Sequence, residues 1–152
     1  MGGPVVGVGE PDGGTATELN SGAIHLLRAV RRVDRASGLP PGQLSALSVL
    51  VSGGPVTLGA LAAAEDVAGP TMTRIVDGLV QRGLAERQRQ ADRRTVLVAA
   101  TPAGRRLMRD GRRRRVEALE AALAALPVAD RRRLRGVGPL LDRLAAEVRM
   151  RT

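Results

Sequence analysis

Two groups of side chains in this sequence have types and spacing suited to chemistry: Pro70, Thr71, Thr73 and Arg74 within one short stretch, and Asp92, Arg93 and Arg94 in another. Threonine hydroxyls donate and accept hydrogen bonds, and arginine offers a planar fork of donors with a permanent charge. Such groups suit planar hydrogen-bonding edges and anionic oxygens. They do not suit bond making, and the rest of the inventory agrees: the chain has no Cys, Lys or Tyr, and its single histidine, His25, has no Ser or carboxylate at a recognisable motif spacing. Glu65 and Asp66 are adjacent, so on a helix they diverge by about a hundred degrees and cannot act as a paired acid and base. We read no catalytic site, no cofactor and no metal site, since a lone His has few partner ligands.

The elements that must position the two groups follow from periodicity. Thr57 is a good N-cap, and Leu58, Leu61 and Ala62 then fall at helical spacing. A break comes at Val67-Ala68-Gly69, and Pro70, with a preset φ and no donor to lose, suits the first position of a second helix capped by Gly69. Met72, Ile75, Val76 and Leu79 recur at i, i+3, i+4 and i+7 as a buried stripe, which turns Thr71, Thr73, Arg74, Asp77 and Gln81 outward. Asp77 lies three residues after Arg74 and is expected to orient it, with contact to a cytosine amino group as the lesser role. Gly83 stands where a helix end wants a left-handed residue. Leu84 to Gln88 and the β-branched run Thr95 to Ala99 then read as two strands of a hairpin with Arg93 and Arg94 at its tip. Two guanidiniums on a thin projecting loop match a narrow electronegative minor groove, as the outer helix face matches a major groove. The plainer alternative for each is a solvated helix face and a solvated turn. Thr101 caps, and Pro102 opens, the next helix.

At residues 40 to 108 the sequence resembles the MarR family (multiple antibiotic resistance regulators). The run from Gly69 through Pro70-Thr71-Met72-Thr73-Arg74-Ile75-Val76-Asp77 to Leu84 stands for its recognition helix, and the run from Asp92-Arg93-Arg94 to Thr101-Pro102-Ala103-Gly104 matches its wing and following helix. The helix half alone is shared by many winged-helix families; both halves at this separation are specific. The resemblance implies a mainly α fold with a small β-hairpin wing, that is, a winged helix-turn-helix plus N- and C-terminal dimerisation helices. It implies double-stranded DNA as partner, a homodimer, most often a repressor, and an Asp92 that anchors Arg94 as the minor-groove probe. The sequence departs from the family at Gly69, where Ser is common, and at Ala100, where Leu is usual.

Composition bounds the remainder. The 152 residues amount to about one domain, and 43% apolar content is enough for a core. No apolar run approaches bilayer length and no secretion leader is visible, so we expect a cytoplasmic protein with no membrane partner. The absence of Cys rules out disulfides and thiol-based sensing. Net charge is +9, but residues 57 to 101 hold six Arg against five acids while residues 102 to 152 hold fourteen against six. The segment expected to meet DNA is thus nearly neutral, and the motif, not the charge, carries the DNA reading; the C-terminal excess adds long-range attraction to polyanions. Seven Arg lie between Arg105 and Arg115 and wind round every side of a helix, so they read mostly as solvated surface, with phosphate contact by Arg105 or Arg106 as the alternative.

We divide the chain into a flexible Gly-rich tail (1–14), an N-terminal dimerisation helix (15–39), the winged helix-turn-helix domain (40–104) and C-terminal dimerisation helices (105–152). Thr15 and Glu18 form a capping box. Ala23, Leu26, Leu27, Val30 and Val33 share a stripe on the first helix, and Leu44, Leu47 and Leu50 form the core face of the next. Leu134, Val137, Leu141, Leu144 and Val148 make a seam along one last helix. A monomer would leave Leu26, Val30 and that seam with little to cover them, and in the resembling family such helices interlock two subunits. The family also often binds a small-molecule effector in a cleft beside these helices. With no Phe, Tyr or Trp, a pocket here would be aliphatic with Arg, and His25 and Arg28 are the candidate ligand-binding groups, although His25, at the edge of the first helix's apolar stripe, reads first as a packed or interface residue. The competing function is a winged-helix module for protein contact or nonspecific chromosome binding, which the near-neutral charge of residues 57 to 101 keeps open.

Overall fold

The computed structural model describes residues 13–89 and 96–151. In chain order the elements are α1 (Gly13–Asp34), a short 3-10 turn at Arg35–Ser37, α2 (Pro41–Gly53), β1 (Val56–Thr57), α3 (Leu58–Ala64), α4 (Gly69–Gln81), β2 (Ala85–Arg89), β3 (Val96–Ala100), α5 (Pro102–Ala125), α6 (Val128–Leu134) and α7 (Val137–Arg151). The fold is mainly α with a small antiparallel sheet, as the sequence implied. The chain divides into two compact units, residues 1–111 and 112–152, within the run of α5.

In the first unit the core forms where the periodicity placed it. Leu47 and Leu50 of α2, Leu61 of α3, and Met72, Val76 and Leu79 of α4 are fully buried, with Val98 and Ala100 of β3 closing the cluster. Leu44 and Ile75 are only half-buried, at the rim of their helices' apolar faces. The sheet order is β1-β3-β2, so β3 lies in the middle. Val56 faces Val98 on one side of it, and Arg87 faces Val98 on the other. The two-residue strand β1 is too short to show any alternation in the sequence.

Turn chemistry fixes the join between α3 and α4. Thr57 caps α3 by accepting a hydrogen bond from the Ala60 amide at 3.2 Å. The helix ends in a left-handed residue that is not glycine, Asp66 at φ 51°, and the Val67 amide reaches back to the Ala62 carbonyl at 3.0 Å. Aspartate tolerates this conformation better than most residues. Helix α4 then begins one residue earlier than expected: Ala68 is the N-cap, with no side-chain bond, and Gly69 is the first helical residue, so Pro70 is the second. The shift costs nothing, because the first amides of a helix have no intrahelical partner. Gly83, at φ 67°, ends the α4 segment, with the Leu84 amide bonded to the Leu79 carbonyl at 2.9 Å and the Gly83 amide to the Val80 carbonyl at 2.9 Å. This paired closure turns the chain straight into β2.

Two other expectations are corrected. Helix α1 includes Gly13 and Gly14, so Thr15 sits inside its first turn and is not the N-cap of a capping box. The single last helix is two helices, because Arg135 is extended and Gly136 adopts φ 74°. Leu134 therefore belongs to α6, while Val137, Leu141, Leu144 and Val148 remain together on α7.

Candidate nucleic-acid interface

The site is built on α4. Its buried stripe fixes the helix against α2 and α3, and what remains outward is Pro70, Thr71 and Arg74, all exposed, with Thr73 half-buried beside them. The Thr73 hydroxyl donates to the Gly69 carbonyl at 3.0 Å. Its proton is thereby committed, and the oxygen is left with acceptor capacity only, which suits the amino group of an adenine or cytosine edge. Thr71 carries no such constraint among the described residues and can donate or accept.

Arg74 is not oriented by Asp77, contrary to expectation. The Asp77 carboxylate instead accepts from the Arg87 guanidinium of β2, with Nη2 and Oδ1 2.6 Å apart. The strand pleat explains the choice: Ala85, Arg87 and Arg89 lie on one face of β2, and the Ala85 end of that face is buried with the core beside α4. Arg87 is the first residue on it long enough to leave the core and meet the helix. Arg74 is thus exposed, with no ion pair among the described residues.

The hairpin is rooted by β2 and β3, paired from Ala85 with Ala100 to Arg89 with Val96. Its tip, with Asp92, Arg93 and Arg94, lies outside the described residues. Its base is held by Thr101, whose hydroxyl donates to the Gly83 carbonyl at 2.7 Å and accepts from the Gly104 amide at 3.1 Å, so one side chain caps α5 and ties it to the end of α4. Gly104 lets α5 approach so closely that a Cβ there would fall inside contact distance of the Leu84 carbonyl oxygen, and 3.1 Å from Leu47 Cδ1.

Of the other singled-out residues, Leu26, Leu134, Leu141, Leu144 and Val148 are exposed in the single chain, while Val30 and Val137 are half-buried. His25 and Arg28 are exposed on α1. Arg105, Arg106, Arg109, Arg112 and Arg113 are exposed on α5, and Arg113 pairs with Glu117 at 3.7 Å, in keeping with a solvated charged surface. Among the described residues no helix is long and apolar enough to cross a membrane, and no cluster of three or more His, Asp or Glu is placed to hold a metal. The site residue that sequence reasoning missed is Arg87. Its signal, an Arg two residues into a strand whose first residue is buried, becomes legible only once the strand's start is fixed.

Comparison with known proteins agrees with this geometry. The model of the MarR family matches residues 37–95. An HTH-type transcriptional regulator of Mycobacterium tuberculosis is 35% identical over 139 residues, covering 91% of this chain and 97% of that protein. Among solved structures, a MarR family protein from Bacillus stearothermophilus superposes with a TM-score of 0.76 at 23% identity, covering 91% of this chain and 99% of its own. RV1404 from Mycobacterium tuberculosis does so at 0.75 with 26% identity, covering 91% and 95%.

Proposed function

This chain belongs to the MarR family of HTH-type transcriptional regulators, and we propose that it acts as a homodimeric repressor that reads a pseudo-palindromic operator. In this reading the two copies of α4 enter successive major grooves, and the two wings place Arg94, held by Asp92, in the flanking minor grooves beside Arg93. The observation that carries it is the α3–turn–α4 pair, with Thr71 and Arg74 exposed on α4, followed at once by the β2–β3 hairpin. A protein of the same fold, the Staphylococcus aureus MepR F27L mutant, is known bound to an oligodeoxyribonucleotide, which supports the reading. The exposed apolar side chains of α1 and α7 supply the dimer surface, and the protein works in the cytoplasm, where the DNA is.

We further propose release by a small anionic effector, with His25 and Arg28 of α1 as polar groups. NadR, another protein of this fold, is known in complex with 4-hydroxyphenylacetate. A pocket here has no aromatic walls, because the chain has no Phe, Tyr or Trp. A ligand releases DNA if it prefers a dimer whose two α4 helices are wrongly spaced.

Titration of duplex DNA in a gel-shift assay tests the function: sharp preference for one inverted repeat over its scrambled competitor supports the regulator, and equal affinity for both supports nonspecific chromosome coating. Arg74→Ala should relax sequence preference by about 1 to 3 kcal/mol at one position per half-site and leave nonspecific affinity little changed. A uniform loss across all sequences would make Arg74 a phosphate clamp instead. Arg94→Ala should weaken specific binding and lower the magnitude of the salt slope by roughly one unit per subunit, because one cation fewer displaces counterions. Binding isotherms at several salt concentrations that overlay for wild type and Arg94→Ala would remove the wing from the interface.

A further inference from the structure

The Arg87–Asp77 pair has a consequence for DNA approach that rests on the function just proposed. Asp77 shares the outer face of α4 with Arg74, three residues away, and its side chain is 45% exposed. A bare carboxylate on that face would repel phosphates wherever Arg74 nears a base. We propose that Arg87 is a positioning residue for DNA recognition, which acts through Asp77 by neutralising its charge so that α4 can settle into the groove.

Magnitudes separate this role from a mechanical one. The pair is short and charge-assisted, but Arg87 is 40% exposed, and exposed pairs contribute little to stability. The junction of α4 and β2 is already held by the bonds around Gly83 and by the buried Leu84 and Ala85. Loss of Arg87 therefore leaves the backbone where it is and changes the charge that approaching DNA meets. An uncompensated carboxylate about 8 Å from a phosphate, in a dielectric between that of a protein surface and water, weakens binding several-fold to about tenfold per half-site.

The test uses the full-length protein and the duplex it enriches from a randomised library. Arg87→Ala should weaken binding to that duplex by about tenfold or more at low salt, Asp77→Asn alone should bind at least as well as wild type, and the double variant should recover to within about threefold of wild type. Arg87→Lys, which keeps the charge, should stay close to wild type, and thermal midpoints should move by only a few degrees throughout. An Arg87→Ala protein that binds like wild type overturns the proposal. So does a double variant as weak as Arg87→Ala, which would make Arg87 a direct DNA contact or a strut. A wild-type protein that enriches no duplex refutes the DNA reading itself, and is seen before any variant is compared.

Discussion

Replacing Leu141 and Leu144 together by Glu is expected to yield a monomer that has lost specific DNA binding. The two lie one turn apart on α7 and are 43% and 45% exposed in the single chain, among apolar neighbours such as Leu140 and Val148 that are exposed too. Carboxylates buried there without partners cost several kcal/mol or more, enough to dissociate an interface centred on them. A monomer offers one recognition helix and one wing, so it forfeits the gain from tethering two half-site contacts, on the order of a hundredfold or more. The variant should still fold: among the described residues the buried hydrophobic ones lie between Ala46 and Ala100, far along the chain from the substitutions. Sedimentation velocity and a gel shift on the same preparation decide the matter, and a double variant that sediments as a dimer sinks the proposed interface.

The second large effect is on stability, where two helical glycines should respond with opposite sign. Gly59 in α3 has open space where a Cβ would sit, so Gly59→Ala should stabilise the protein by about 0.5 to 1 kcal/mol through helix propensity. At Gly104 the same gain is overwhelmed. The new methyl would overlap the Leu84 carbonyl, which is backbone and cannot rotate away, and which also accepts the Thr101 amide at 3.0 Å. Moving it breaks that bond and disturbs Leu47 beneath it. Gly104→Ala should therefore destabilise by about 2 kcal/mol or more net, and loosen the root of the hairpin. Urea midpoints at one fixed protein concentration provide the check, and a Gly104→Ala midpoint at or above wild type would contradict the packing described for α5.

How much was legible in the sequence depended on how local the cause was. The stripe Met72, Val76 and Leu79, the cap at Thr57, the closure at Gly83 and the cap at Thr101 are set by neighbours within a turn or two, and all appear where periodicity and turn chemistry put them. The errors share a different origin. The i, i+3 spacing pairs Asp77 with Arg74 because it sees only the helix, whereas the partner of Asp77 comes from ten residues on, through a turn and a strand register. The apolar spacing from Leu134 to Val148 runs on across Gly136 as if one helix held it, whereas the glycine adopts φ 74° and divides the seam between two. Nothing in the side-chain pattern marks Asp66 as a left-handed residue. The exposed stripes of α1 and α7 were legible as apolar faces, but a single chain's periodicity does not say what covers them.

The sheet order has one more consequence, for how copies of the protein avoid each other. With β3 in the middle, both β1 and β2 are edges, and an unpaired edge is a template for strands of a neighbouring chain. The two edges are blunted in different ways. Strand β1 is two residues long, with Pro55 before it and a helix directly after, so it offers almost nothing to extend. Strand β2 is longer, but reads Ala85-Glu86-Arg87-Gln88-Arg89, and an incoming copy in antiparallel register would have to set charged or amide side chains against one another along most of its length. A small sheet with both its edges blunted in this way is thereby kept from growing into the sheet of a neighbouring copy.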